Sequence, residues 1–247
     1  MNQVISFANY KGGVGKTTSA VNIASALGEM GKKVLLVDLD PQGSAGMHLG
    51  VRDEGKAFFR ALEKSIALPV LHMAAAGVDL TPSGPALAEA GHRFIGTLGA
   101  DLLSRCLART PGDWEAVIID CPPSLGILTS SALRASRHLI IPIEATPLSL
   151  NGMDRMIETL DSMRQGGSRL SILGIMVCRT NSRRRIHREI LAYLDETFPG
   201  KIAPSIRENV ALAEAPAHGQ PITLYAPDSN GAADYRQAAQ WLSKGLF

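Results

Sequence analysis

The segment Tyr10-Lys11-Gly12-Gly13-Val14-Gly15-Lys16-Thr17-Thr18 carries the residue types that hold a polyphosphate. It follows the apolar run Val4-Ile5-Ser6-Phe7-Ala8 and precedes Ala20-Val21-Asn22-Ile23-Ala24, which has helical spacing. A glycine-rich turn between a buried strand and a helix start is the context a phosphate-binding loop requires. Glycines 12, 13 and 15 lack Cβ atoms, so the backbone can take left-handed dihedrals and approach a ligand closely. Successive N–H groups then form an anion-binding concavity at the positive end of the following helix. The expected roles are Lys16 on the β- and γ-phosphates, Thr17 on Mg²⁺ and Thr18 on the α-phosphate. Tyr10 stands where the standard pattern has glycine, and Lys11 adds a second lysine. Its expected role is to reach a phosphate in a partner subunit. A solvated lysine on an ordinary turn would look the same in isolation; the acids downstream argue against that.

Those acids end two further apolar strands. Val34-Leu35-Leu36-Val37-Asp38-Leu39-Asp40 is one and Val117-Ile118-Ile119-Asp120 the other. Carboxylates at the C-terminal ends of parallel strands point into the crevice where ligands bind in open α/β sheets. Asp120 is expected to hold Mg²⁺ through a water, Asp40 to orient the attacking water, and Asp38 to anchor the loop and a metal-bound water. Any one aspartate is commonly a turn former, and Asp38 is the one most readily structural.

Lys-Gly-Gly-Val-Gly-Lys-Thr-Thr (11–18), Val-Asp-Leu-Asp-Pro-Gln-Gly (37–43) and Ile-Asp-Cys-Pro-Pro-Ser-Leu-Gly (119–126) resemble the deviant-Walker ATPases of the ParA/MinD family. Asn209-Val210-Ala211-Leu212-Ala213-Glu214-Ala215-Pro216 is similar to the ParA branch, which partitions DNA and positions other cargo. The resemblance implies ATP and Mg²⁺ as cofactors, a homodimer closed around two nucleotides, non-specific double-stranded DNA as a partner, and a ParB-like or cargo adaptor that stimulates slow hydrolysis. It places the adenine between Thr180-Asn181 and Pro204-Ser205-Ile206-Arg207, with Asn181 on the base edge and Pro204 and Ile206 on its face. The chain departs from the family at Ala211, often arginine there, at Ser131, commonly asparagine, and at Glu144-Ala145-Thr146, where Gln-Cys-Glu is usual.

The strongest charge run, Arg179 to Arg188, begins where a strand ends. Clustered arginines at such an edge can bind DNA phosphates without reading sequence, although charge runs are usually solvated faces. The resemblance favours DNA, through Arg183, Arg184, Arg185 and Arg207, with Lys201 as a contributor.

Length and composition agree with an α/β fold. The chain has 247 residues, 45% of them hydrophobic and 5% aromatic, so an aliphatic core suits parallel strands buried on both faces. A formal charge of +2 implies only a local basic patch. Cys106, Cys121 and Cys178 are scattered, the pattern of reduced thiols in a cytoplasmic protein, and no apolar run is long enough to span a bilayer. The expected location is cytoplasmic and nucleoid-associated. Strands are expected at Val4–Ala8, Val34–Asp38, Val78–Thr81, Val117–Asp120, Leu139–Ile143, Ile172–Cys178 and Ile202–Ser205. Helices are expected at Lys16–Met30, Leu125–Ala135, Asn151–Arg164, His187–Thr197 and Gly231–Lys244. This alternation predicts one doubly wound domain over 1–247, with a mostly parallel sheet covered by helices on both faces. Gly50 to Pro111 is the least readable stretch.

Two other readings compete. A membrane-surface switch like MinD would use the C-terminal segment from Tyr235, which is mildly amphipathic but weakly basic; packing of Tyr235, Trp241 and Leu242 onto the fold is the stronger expectation, so no stable membrane anchor is expected. An iron–sulfur reductase needs cluster-ligating cysteines at a dimer axis, and the cysteine spacing does not suit it.

Overall fold

The structure, a computed structural model, describes residues 3–72, 77–94, 100–124 and 126–247. Six strands, β1 (Gln3–Phe7), β2 (Val34–Asp38), β3 (Val78–Thr81), β4 (Ala116–Asp120), β5 (His138–Glu144) and β6 (Ser171–Cys178), form one sheet in the order β3-β2-β4-β1-β5-β6. Every pairing in it is parallel. Because β1 lies between β4 and β5, the chain leaves it towards one side and later crosses to the other. That reversal opens a crevice at the C-terminal ends of the strands, and the register fills it with chemistry: Asp120 pairs with Phe7 on one side and with Asp38 on the other.

The sheet separates two aliphatic cores. Leu35, Val37, Val117, Ile119, Ile141 and Val177 face one; Ile5, Phe7, Leu36, Ile118, Ile140 and Met176 face the other. All five residues of β2 and of β4 are buried, as expected for parallel strands covered on both faces. The first helix, α1 (Lys16–Glu29), and the C-terminal helix Asn230–Leu246 pack on the second core. The latter is capped by Ser229, whose Oγ accepts from the Ala232 N–H. Tyr235 and Leu242 are buried in this layer, and Trp241 lies over Gly174, where a Cβ would come within 2.7 Å of the indole ring. The amphipathic C-terminal segment is thus packed against the fold, and among the described residues no helix is long and apolar enough to cross a membrane.

Several boundaries differ from expectation. The helix expected at Asn151–Arg164 runs Pro147–Gln165, since proline suits the first helical turn, where its missing N–H costs nothing. The helix expected from His187 starts at Arg185. The expected strand Ile202–Ser205 is not a strand. It lies along β6 through Ala203 N–H to Ile175 O and Ile206 N–H to Val177 O, a spacing of three residues against two that breaks the regular ladder, and within it only an isolated bridge, Ile175 to Ile202, forms. Within Gly50–Pro111 the described residues hold helices Lys56–Lys64 and Leu102–Arg109 besides β3. Residues 73–76 and 95–99 of that stretch, and Leu125 of the expected helix Leu125–Ala135, lie outside the described residues.

Candidate nucleotide site

The loop after β1 has the dihedrals its glycines permit. Gly13 has φ +76° and Gly15 φ +92°, values costly for any side chain. Gly15 caps α1 in the left-handed conformation. Open space lies where a Cβ of Gly12 or Gly13 would project, whereas one on Gly15 would meet Cys178 Sγ at 3.3 Å. The face towards solvent is therefore free for a ligand, and the other rests on β6. Val14 is fully buried and pins the loop.

Lys16 is buried and its Nζ donates to the Lys11 carbonyl at 3.0 Å. Burial lowers its pKa, opposed by Asp120, Cys121 and Asp40. Lys11 starts from a fixed backbone: its N–H donates to Asn9 Oδ1, and Asn9 Nδ2 donates to Pro142 O on β5. Gly152 admits this arrangement, since a Cβ there would lie 3.1 Å from Asn9 Oδ1. Lys11 Nζ donates to Ser149 Oγ at 3.2 Å and lies 3.7 Å from Glu144.

Three acids ring the loop. Asp120 is fully buried and neither carboxylate oxygen has a hydrogen-bond partner. Burial, then the Asp38 charge beside it, raises its pKa well above the carboxylate range. The Thr17 hydroxyl is near enough to oppose this shift, although it falls short of a formed hydrogen bond. Asp38 is equally buried but satisfied, accepting from Asp40 N–H at 3.2 Å and Gly46 N–H at 3.0 Å. Burial still pushes it up to about 7, against those bonds. Asp40 is half-buried, and its Oδ1 accepts from Gln42 N–H. An orphaned buried carboxylate beside a threonine and a lysine is an unstable arrangement unless a cation completes it. Oxygen donors of this kind suit a hard divalent ion such as Mg²⁺.

A cavity of about 450 Å³ adjoins the loop. Gly15 and Thr18 form its inner end; Cys178, Arg179, Ile206, Arg207, Glu208, Asn209 and His48 are among its other walls. Of the residues expected to touch a base, Ile206 lines this cavity. Asn181 lines a neighbouring one with Arg183, His187 and Arg188, and Pro204 lines neither. Burial lowers the His48 pKa to about 4, so this imidazole is neutral at physiological pH. Below it Tyr235 Oη and Ser19 Oγ are 3.2 Å apart, and Ser19 Oγ and Cys178 Sγ 3.5 Å. Burial raises the Cys178 thiol to about 11, so it acts as packing. Cys106 and Cys121 are buried elsewhere.

The arginines divide. Arg183 and Arg184 are exposed with no side-chain partner among the described residues. Arg185 is also exposed but pairs with Glu189 at 2.6 Å. Arg207 is held by a fork of bonds to the buried Asp234, Nη2 to Oδ1 at 2.6 Å and Nε to Oδ2 at 3.0 Å, while its own N–H donates to the same carboxylate. A guanidinium so engaged fixes a loop more readily than it meets a phosphate. Sequence reasoning did not find Asn9, Ser149 or Asp234. Asn9, a buried amide at the mouth of the loop, was the one with a local signal.

Fold and site define a P-loop ATPase, and residues 2–172 match the family model for an AAA domain. The chain is 40% identical to the chromosome-partitioning ATPase Soj of Thermus thermophilus over 96% of its length and 93% of that protein's. It is 34% identical to the sporulation initiation inhibitor protein Soj of Bacillus subtilis over 97% and 98%. This chain belongs to the ParA/Soj family of partition ATPases. Among solved structures, McdA(D38A) of Cyanothece in complex with ATP superposes with a TM-score of 0.87 at 25% identity, covering 99% of this chain and 96% of that one. A cobyrinic acid a,c-diamide synthase of Mycobacterium smegmatis with bound ADP and magnesium gives 0.81 at 32% identity, covering 97% and 93%.

Proposed function

We propose that this protein is an ATP-driven DNA-positioning switch. Two subunits close around two Mg²⁺–ATP, the closed dimer holds double-stranded DNA through its phosphates, and an adaptor such as a ParB-like protein stimulates hydrolysis and releases it. The observation that carries the nucleotide part is the orphaned, fully buried Asp120 carboxylate facing Thr17 and Lys16 beneath an open glycine loop.

In this reading the backbone of residues 12–16 binds the phosphates with Lys16, Thr18 supports the α-phosphate, and Thr17, Asp120 and Asp38 hold the metal directly or through water. When bound, ATP with Mg²⁺ supplies a phosphoanhydride whose hydrolysis to ADP and phosphate can be coupled to opening of the dimer. Asp40, beside the loop but not locked into it, orients the water that attacks. Lys11 leaves its own-chain contacts and neutralises charge at the other subunit's nucleotide. The base occupies the cavity that Ile206 shares with Arg179, Glu208 and Asn209; Asn181 and Pro204 then act through the shape of the adjoining loops.

For DNA, Arg183 and Arg184, exposed and without a side-chain partner among the described residues, are the leading contacts and Arg185 a weaker one. Arg207 contributes by holding its loop. Two copies of such a patch on one dimer make binding multivalent, so affinity depends on closure and on salt. The protein is then cytoplasmic and nucleoid-associated. Sedimentation with ATP against ADP tests the switch: wild type should become dimeric with ATP alone, and Lys11→Ala should stay monomeric while binding nucleotide. A wild-type protein that remains monomeric with ATP would refute the reading.

A further inference from the structure

Glu144 ends β5, and no step of the cycle above uses it. Its carboxylate receives two cations. Arg179 Nη1 donates to Oε1 at 2.6 Å, and Lys11 Nζ lies 3.7 Å from Oε2. Lys11 Nζ also donates to Ser149 Oγ at 3.2 Å, and the Ser149 and Thr146 hydroxyls are 2.8 Å apart. All of these groups belong to one chain. A lysine in this hold cannot also extend to a second subunit.

The other cation leads to the ligand cavity. Arg179 lines it, and its backbone is left-handed at φ +54°, one of two described non-glycine residues with positive φ. Glu144 is the register partner of Cys178, which underlies Gly15 and lines the same cavity. One carboxylate on a rigid strand end therefore touches both the cavity wall and the lysine that closure requires. Both ion pairs are partly exposed, Glu144 at 20% and Lys11 at 34%, so the hold is weak enough to break during a working cycle.

We propose that Glu144 is a positioning residue that keeps Lys11 within its own subunit and, through Arg179, links that hold to the wall of the nucleotide cavity. A ligand that engages Arg179 alters the charge Glu144 offers Lys11, and the lysine is freed for the partner. The open state is favoured by contacts that exist only in it, so removing them shifts the population towards closure. The inference rests on the reading of Lys11 as acting across the dimer.

The test uses the full chain and follows dimer mass against ATP concentration, with fluorescent ADP binding measured separately. Glu144→Gln should lower the ATP concentration for half-maximal dimerisation by up to about fivefold, the span of a partly exposed ion pair, and Glu144→Asp should restore it. Ser149→Ala, which leaves the charges in place, should shift the midpoint the same way by less. It also tests the hold should Glu144→Gln not fold. ADP affinity should change in Glu144→Gln and not in Ser149→Ala, because only Glu144 touches the cavity wall. Unchanged midpoints in both variants overturn the hold on Lys11, and unchanged ADP affinity in Glu144→Gln overturns the link to the cavity. A Lys11→Ala Glu144→Gln protein that dimerises would show that the effect does not run through Lys11, and overturns the proposal. Lys11→Ala alone dimerising like wild type is a different result: it removes the trans-acting lysine on which the inference stands.

Discussion

Lys16 Nζ donates to the Lys11 carbonyl at 3.0 Å, so the lysine proposed to bind phosphate closes its own loop in this state. That contact holds an ammonium, already depressed by burial, at the centre of the glycine ring. Phosphate oxygens have only to replace one carbonyl to capture it. Lys16→Ala should weaken nucleotide binding about 100-fold or more, the scale of a lost charge-assisted bond of about 3 kcal/mol. Fluorescent nucleotide titration measures it, and affinity within a few-fold of wild type would contradict the assignment.

Asp38 and Asp120 are register partners on adjacent strands, both fully buried. Burial raises both above the ordinary carboxylate range near 4, Asp38 to about 7. In the ligand-free protein the folded state keeps protons that the unfolded chain has released. Stability is therefore full below about pH 4 with respect to these groups and falls as pH rises towards 7, by up to about 1.4 kcal/mol per pH unit per group. In the proposed site Mg²⁺ with nucleotide needs both carboxylates ionised, so its binding should release protons and tighten over the same range. Melting in EDTA across pH 4.5–8, with calorimetry in buffers of different ionisation enthalpy, checks both effects. Asp38→Asn should flatten the melting curve. A flat wild-type profile would contradict the shifts.

Asp40→Ala should bind ATP and dimerise but hydrolyse it at least about 100-fold more slowly, since in the proposed cycle the residue positions the attacking water and holds none of the ligand. Phosphate release in single turnover measures this. Hydrolysis at the wild-type rate would remove Asp40 from the mechanism.

Arg183 and Arg207 should behave differently although both were read as DNA contacts. Arg183→Ala with Arg184→Ala should weaken DNA binding for every sequence and reduce the salt dependence by about one unit of slope per residue, with melting unchanged. Arg207→Ala removes the guanidinium bonds to the buried Asp234 carboxylate and leaves it only the backbone N–H of residue 207, which should cost about 1–3 kcal/mol of stability. Thermal unfolding and a salt series on each variant separate the two roles. Equal melting of Arg207→Ala and wild type would return that arginine to the DNA surface.

Much of this site was legible because its parts are local. Strand, glycine turn and helix lie within residues 3–29, and Asp38 and Asp120 each end an uninterrupted apolar run. Asn9, Ser149 and Asp234 were not legible because their roles depend on contacts 27 to 138 residues distant. The segment Ile202–Ser205 has the composition of a strand, but Ile206 and not Ser205 donates to Val177 O, and that one-residue slip ends the ladder. The residues expected around the base divide between two adjoining cavities, Ile206 with Arg179 in the one beside Gly15 and Asn181 in its neighbour, a division that depends on how the loops pack and not on their composition.

The most direct test of the whole account is retention of non-specific double-stranded DNA by wild type and Asp40→Ala, with ATP, ADP or no nucleotide, across a salt series. The account predicts retention only with ATP, lost steeply with salt, and persistent in Asp40→Ala after wild type has let go. Retention that is equal in all nucleotide states, or absent in all of them, would contradict it.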